Sequence, residues 1–166
     1  MNNEYLQTPY ISQWATQASN RGNDCGQTCV AMLAWLRGVY KPVNAYIYQS
    51  DSTGLSTADD LVANLTGIAH LSASSKTLPP NTLTPPGSIC LVQYSIFPVG
   101  TGEYEKQDDF SGLHWFIVLN EVPGEYVETN DPDYYGERIA EGENKRYRWA
   151  DWLKEISQQR TVVSLD

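Results

Sequence analysis

The stretch Asn23-Asp24-Cys25-Gly26-Gln27-Thr28-Cys29-Val30-Ala31-Met32-Leu33 constrains the fold more than any other part of the chain. A polar, glycine-containing turn runs straight into an apolar helix, predicted from about Gly26 to Arg37 and closed by Gly38 as its C′ residue. The apolar positions Cys29, Val30, Leu33, Trp35 and Leu36 cover a stripe too broad for one contact face, so the helix must be packed on more than one side. A cysteine at the start of such a helix has chemical as well as structural meaning. The unpaired N–H groups and the positive end of the macrodipole favour thiolate over thiol. Asp24 is placed to cap the helix through its carboxylate, and Gly26 to leave room for a substrate at the sulfur. A lone cysteine is more often just a small packing residue. Cys29, one turn deeper, reads that way, as does Cys90 in an apolar strand.

A chain of 166 residues can bury a core without disulfide staples and is expected to form one domain over residues 1–166. Its net charge of −9 argues against nucleic acid and against an anionic membrane surface. Three cysteines cannot form a closed disulfide set, which suits a reducing compartment. The start Met1-Asn2-Asn3-Glu4 has neither the basic nor the apolar region of a signal peptide, and no apolar run of about 18 residues suggests a membrane span. A soluble, cytoplasmic protein is the expectation, with delivery outside the cell by another apparatus as the alternative.

An extended arm containing Pro9 leads to Gln13, and a polar loop over 15–23 precedes the central helix. Residues 39–55 read as irregular. Ser56-Thr57-Ala58-Asp59-Asp60 offers a capping-box start to a helix over about 57–66, closed by Gly67. Ile68 to Ser75, with His70, reads as a short strand or turn, and His70 as a structural or surface residue. Pro79-Pro80 and Pro85-Pro86 bracket a rigid connection that cannot be central strand. Ser88–Ser95 is a strand by composition, Phe97–Gly112 a long loop of functional character, and Leu113–Leu119 the clearest strand. Pro123-Gly124 turns it into a partner, Glu125–Thr129, that ends in Asn130-Asp131-Pro132. Residues 133–147 are acidic and tyrosine-rich, a loop or edge strand. A helix over Trp149–Ile156 and a strand over Thr161–Leu165 close the chain. Helices first and antiparallel strands later make an α+β order.

Antiparallel pairing across the Pro-Gly turn brings His114, at the start of one strand, close to Asp131, at the end of the other. With Cys25 this supplies the parts of a nucleophilic unit: a thiol, an imidazole to take its proton, and an acid to orient the imidazole. Gln13 and the Cys25 backbone N–H are candidate oxyanion donors. The trio Asp131, Asp133 and Glu137 lacks calcium-loop spacing and reads as a solvated acidic loop. The tryptophans Trp14, Trp35, Trp115, Trp149 and Trp152 read as core and cleft walls.

Four segments together, Pro9-Tyr10-Ile11-Ser12-Gln13, Asp24-Cys25-Gly26, His114-Trp115 and Asn130-Asp131-Pro132, resemble papain-like cysteine peptidases of the bacteriocin-processing (double-glycine leader) type, in a stand-alone form. The resemblance implies a papain-like α+β fold, an N-terminal helical part packed on a C-terminal antiparallel sheet. It also implies Cys25 as nucleophile, His114 as general base, Asp131 as orienting acid and Gln13 in the oxyanion hole. Papain uses an asparagine in the third role, so Asn130 stays open beside Asp131. No metal or cofactor is implied. The expected partner is a peptide, protein or peptidoglycan-peptide substrate of a bacterial or phage enzyme, with no nucleic acid and no membrane insertion. The processing enzymes are usually fused to an ABC transporter; this chain has no such portion, so the double-glycine substrate does not carry over. Two rival readings are a peptidoglycan amidase or endopeptidase and a catalytically silent domain that binds a peptide or protein.

Overall fold

The apolar helix forms as α1 (Cys25–Leu36), with every residue from Cys25 to Ala34 buried. In a computed structural model, which describes residues 10–13, 24–47, 56–94, 104, 112–134 and 136–166, it ends as its sequence requires. Gly38 takes φ +82°, a conformation costly for any residue with a side chain. Its N–H donates to the Trp35 carbonyl (2.9 Å) and that of Val39 to Ala34 (3.1 Å), which satisfies the last free carbonyls of the helix. Two expectations for this helix fail. Trp35 is 43 % exposed, because it lies in the last turn, and there it meets Tyr40 edge-on at 4.8 Å. Asp24 makes no side-chain cap: its φ of −91° and ψ of 16° depart from the extended backbone that normally aims a cap at the first turn. Thr28 binds the entry instead, its hydroxyl (2.7 Å) and N–H (2.9 Å) both donating to the Asp24 carbonyl.

A short helix, α2 (Val43–Ile47), interrupts the stretch expected to be irregular. α3 (Ala58–Gly67) opens with the anticipated capping box, Asp60 N–H to Thr57 Oγ1 (3.2 Å) and Thr57 N–H to Asp60 Oδ2 (2.9 Å). Gly67 is its last helical residue rather than a stop beyond it.

Six strands follow: β1 (Ala73–Leu78), β2 (Ser88–Gln93), β3 (Leu113–Val122), β4 (Tyr126–Asn130), β5 (Lys145–Arg148) and β6 (Arg160–Leu165), with α4 (Trp149–Ile156) between the last two. They form one sheet in the order β1-β6-β2-β3-β4-β5, with every pairing antiparallel. β1 begins and ends later than the strand expected near His70, which lies outside it, exposed, at φ +55°. It is an edge strand and stops at Pro79, where the lost donor costs nothing to the ladder. β3 is buried from His114 to Leu119 because both of its faces are covered. Trp115, Ile117 and Leu119 join α1 and α3 in one core. Phe116 and Val118 join Trp152 and Ile156 of α4 in the other. The N-terminal helices thus pack on one face of the sheet, as expected, and α4 covers the opposite face.

Candidate active site

The hairpin of β3 and β4 sets the geometry. Gly124 turns it at φ +84°, Ile117 pairs with Asn130, and a register shift falls between Val118 and Asn120. β3 therefore runs on past the end of β4, and the first residue after β4, Asp131, lies beside His114. His114 Nε2 and Asp131 Oδ1 are 2.8 Å apart, with both side chains sealed from solvent. The Cys25 thiol lies near enough to the imidazole to raise its proton affinity. Asn130 points elsewhere: its Oδ1 accepts the Asn144 N–H at 3.0 Å.

Burial works against charge on His114, but the Asp131 carboxylate and then Cys25 outweigh it and hold the imidazole well above its ordinary value. Burial likewise disfavours the Asp131 anion. The His114 charge and hydrogen bond, with those from Tyr147 and Tyr94, reverse this and keep the carboxyl below its usual range. Opposite shifts on two touching groups are the mark of an ion pair.

Asp131 is held from every side. Its N–H donates to the Gly142 carbonyl (2.9 Å), and its own carbonyl accepts the Tyr10 hydroxyl (2.8 Å). Oδ1 also accepts the Asp133 N–H (3.0 Å), and Oδ2 accepts the hydroxyls of Tyr94 and Tyr147. The stretch after β4 is therefore not a solvated acidic loop at this point: Asp131, drawn in by these donors, and Asp133 beside it are buried, while Glu137 is exposed. Residues 136–142, a 3-10 helix (Gly136–Gly142), close against Asp131 through Gly142, where a methyl would overlap the Tyr10 hydroxyl and the Asp131 carbonyl oxygen.

Gln13 is buried, and its N–H donates to the Pro132 carbonyl at 3.0 Å. The N-terminal arm is thereby tied to the residue after Asp131. Ser12 makes the same link through its hydroxyl to the Tyr134 carbonyl. Gly26 has a different reason from the one expected. A Cβ there would lie 2.8 Å from Leu61 Cδ2 and 3.1 Å from Trp115 Cδ1, so the glycine admits two core side chains rather than a substrate. Trp115 packs there as core, its indole N–H donating to the Ser56 carbonyl (2.9 Å). Asp24, next to the thiol, is buried with Oδ2 unpartnered among the described residues, and burial pushes its carboxyl up to about 6.

Cys29 is fully buried and donates to the Trp115 carbonyl (3.6 Å); burial raises its thiol, and the same effect pushes Cys90 up to about 12. Both are packing residues, as their positions predicted. Among the described residues no group of three or more His, Cys, Asp or Glu side chains could hold a metal ion, and no helix is long and apolar enough to cross a membrane. The loop over 97–112 lies outside the described residues apart from Tyr104 and Gly112, and so do Trp14 and residues 15–23.

Sequence reasoning paired His114 with Asp131 but missed Tyr94, Tyr147 and Gly142. The tyrosine enrichment of the segment after β4 was a signal for Tyr147; Tyr94 and Gly142 had none.

No protein-family model matches the chain, and no curated protein sequence resembles it significantly. Solved structures do. The peptidase domain of Streptococcus ComA, a bi-functional ABC transporter involved in quorum sensing, superposes with a TM-score of 0.57 at 15% identity, over 96% of this chain and 98% of that domain. A candidate C39-like peptidase from Bacillus anthracis superposes with a TM-score of 0.61 at 11% identity, over 96% of this chain and 95% of that one. The fold is that of the papain-like C39 peptidases.

Proposed function

We propose that the chain is a cysteine peptidase, a single domain over residues 1–166 that hydrolyses an amide bond in a peptide or protein. The observation that carries this is the buried His114–Asp131 pair (2.8 Å), with Cys25 at the start of α1 near enough to act on the imidazole's charge. The near-complete overlap with a peptidase domain supports the same reading.

In this mechanism the Cys25 sulfur, its proton held by His114, attacks the substrate carbonyl carbon and forms an S–C bond. Charge moves to the carbonyl oxygen, where the Gln13 amide and the first N–H groups of α1 donate to it; Asp24 does not cap those groups. Collapse of the tetrahedral adduct breaks the C–N bond as the imidazolium gives its proton to the leaving amine. Water, deprotonated by His114, then cleaves the thioester and returns the thiol. Asp131 stays ionised throughout and keeps the imidazole oriented.

The test is site-resolved iodoacetamide labelling across pH in wild type and His114→Ala, beside cleavage of a mixed peptide library by wild type and Cys25→Ala. The expected result is one thiol, Cys25, that reacts much faster than Cys29 and Cys90 and slows without His114, with library cleavage lost in Cys25→Ala. Uniformly slow labelling of all three thiols would remove the enzyme and leave a binding domain.

A further inference from the structure

A carboxylate sealed from solvent must find its compensation in the protein. Among the described residues Asp131 has four donors to its side chain, two on each oxygen but of different kinds. Oδ1 takes His114 Nε2 (2.8 Å) and the Asp133 N–H (3.0 Å). Oδ2 takes two phenols, Tyr94 from the end of β2 and Tyr147 from β5. The phenols are themselves linked, Tyr94 Oη to Tyr147 Oη at 3.5 Å and Tyr134 Oη to Tyr147 Oη at 3.4 Å. All three tyrosines are buried. Among the described residues, the charged and titratable groups around this cluster are Cys25 and Cys29 from α1, Tyr10 from the N-terminal arm, Asp133 beside it, Arg138 and Glu141 near Tyr134, and Lys145, whose Nζ lies 5.5 Å and 5.8 Å from the ring centres of Tyr134 and Tyr147. Neither cation bonds the carboxylate, so among the described residues His114 is the partner of Asp131 that can carry a positive charge.

This division has a chemical consequence. Charge drawn onto Oδ2 by two phenols is charge that Oδ1 does not offer to His114. We propose that Tyr94 and Tyr147 are positioning residues: they fix the Asp131 carboxylate and, through it, set how tightly His114 holds its proton. The inference rests on the peptidase reading, in which His114 must both take a proton and release it. A carboxylate without these donors would bind the imidazolium more firmly and make it a poorer acid toward the leaving amine.

The experiment uses Tyr94→Phe and Tyr147→Phe, which keep the rings and delete the donors, and follows the His114 imidazole by NMR titration together with the pH dependence of Cys25 alkylation. Each loss is expected to raise the His114 midpoint by about half a unit to one unit, a three- to ten-fold gain in proton affinity. Wild type grown with 3-fluorotyrosine, whose phenols are stronger donors, is expected to shift the other way, and that shift should vanish in the double Phe variant. The shift itself is read on the unmutated chain. Unmoved midpoints alongside a lower melting temperature would overturn the inference and leave the tyrosines as packing. Failure of the peptidase reading shows differently: Cys25 alkylation would then be indifferent to His114→Ala in the wild-type background, whatever the tyrosines do to the His114 titration.

Discussion

At the scale of single residues, the site depends on a few side chains whose positions are fixed by backbone bonds rather than by their own chemistry. Gln13 is the clearest case. Its N–H to Pro132 O bond survives truncation of the side chain, so Gln13→Ala should keep the arm in place and remove only the amide. The expected outcome, on an activated peptide ester, is a fall in kcat of about 100-fold or more with little change in KM, the pattern of a lost oxyanion donor. A rise in KM alone would assign Gln13 to substrate binding. Asp131 is the opposite case, since its side chain is the hub. Asp131→Ala strands His114, Tyr94 and Tyr147 in a buried space at once, and breaking a buried charged pair costs about 3–5 kcal/mol. At about 2–4 °C per kcal/mol for a chain of this size, thermal unfolding should begin roughly 10 °C earlier, and Cys25 alkylation should slow relative to wild type. A melting temperature near wild type would mean that the pair contributes orientation and little stability.

At the scale of elements, two glycines make the contacts between segments possible, and they should not be equally sensitive. A methyl at Gly26 meets Leu61 Cδ2 at 2.8 Å and Trp115 Cδ1 at 3.1 Å; the leucine end can shift, so Gly26→Ala should cost about 1–3 kcal/mol, the usual range for overpacking. A methyl at Gly142 meets the Asp131 carbonyl, which is backbone and bonded to Tyr10. Gly142→Ala should therefore lower the urea midpoint further than Gly26→Ala and slow Cys25 alkylation as well. Equal midpoints would show that the 3-10 helix can move away without disturbing Asp131. The same elements explain what was legible beforehand. His114 and Asp131 could be paired because one hairpin with one turn fixes their register. The capping box of α3 and the glycine end of α1 are local signals and were readable for that reason. Tyr94 and Tyr147 were not, because they reach Asp131 only through the order of strands in the sheet, and no sequence periodicity encodes that order. β6 shows this best: Thr161–Leu165 reads as a strand, yet nothing in it says that the end of the chain inserts between β1 and β2. α2, at five residues, is too short for a helical period to appear.

At the scale of the whole molecule, the buried acids decide how stability follows pH. Burial raises Asp24 to about 6 and Glu155 to about 7, and raises Glu121 as well. A carboxyl whose folded pKa lies above its unfolded one binds more protons folded than unfolded, so its contribution is full at low pH and is lost as pH rises through the folded value. His114, raised by Asp131 and Cys25 against the effect of burial, has the same sign, its share being lost at still higher pH. Among the described residues the carboxyls held low, Asp131 above all, act the other way, and their loss begins below about pH 4. A net charge of −9 adds self-repulsion toward neutral pH. The melting temperature should therefore peak in mildly acid solution, near pH 5, and decline toward pH 8. Glu155 isolates the cause. Its Oε2 accepts the Gln93 N–H (3.5 Å), a bond that glutamine can still accept, so Glu155→Gln removes the titration and keeps the contact. One proton carries at most about 1.4 kcal/mol per pH unit, so across the window from about pH 4.5 to 7 this variant should recover about 1–3 kcal/mol of the decline, several degrees in melting temperature. Calorimetry of wild type and Glu155→Gln at matched ionic strength separates the possibilities. Parallel curves would transfer the decline to Asp24, His114 or surface charge, and a wild-type curve that rises from pH 5 to 8 would mean that the buried carboxyls are ionised and paired in the folded protein.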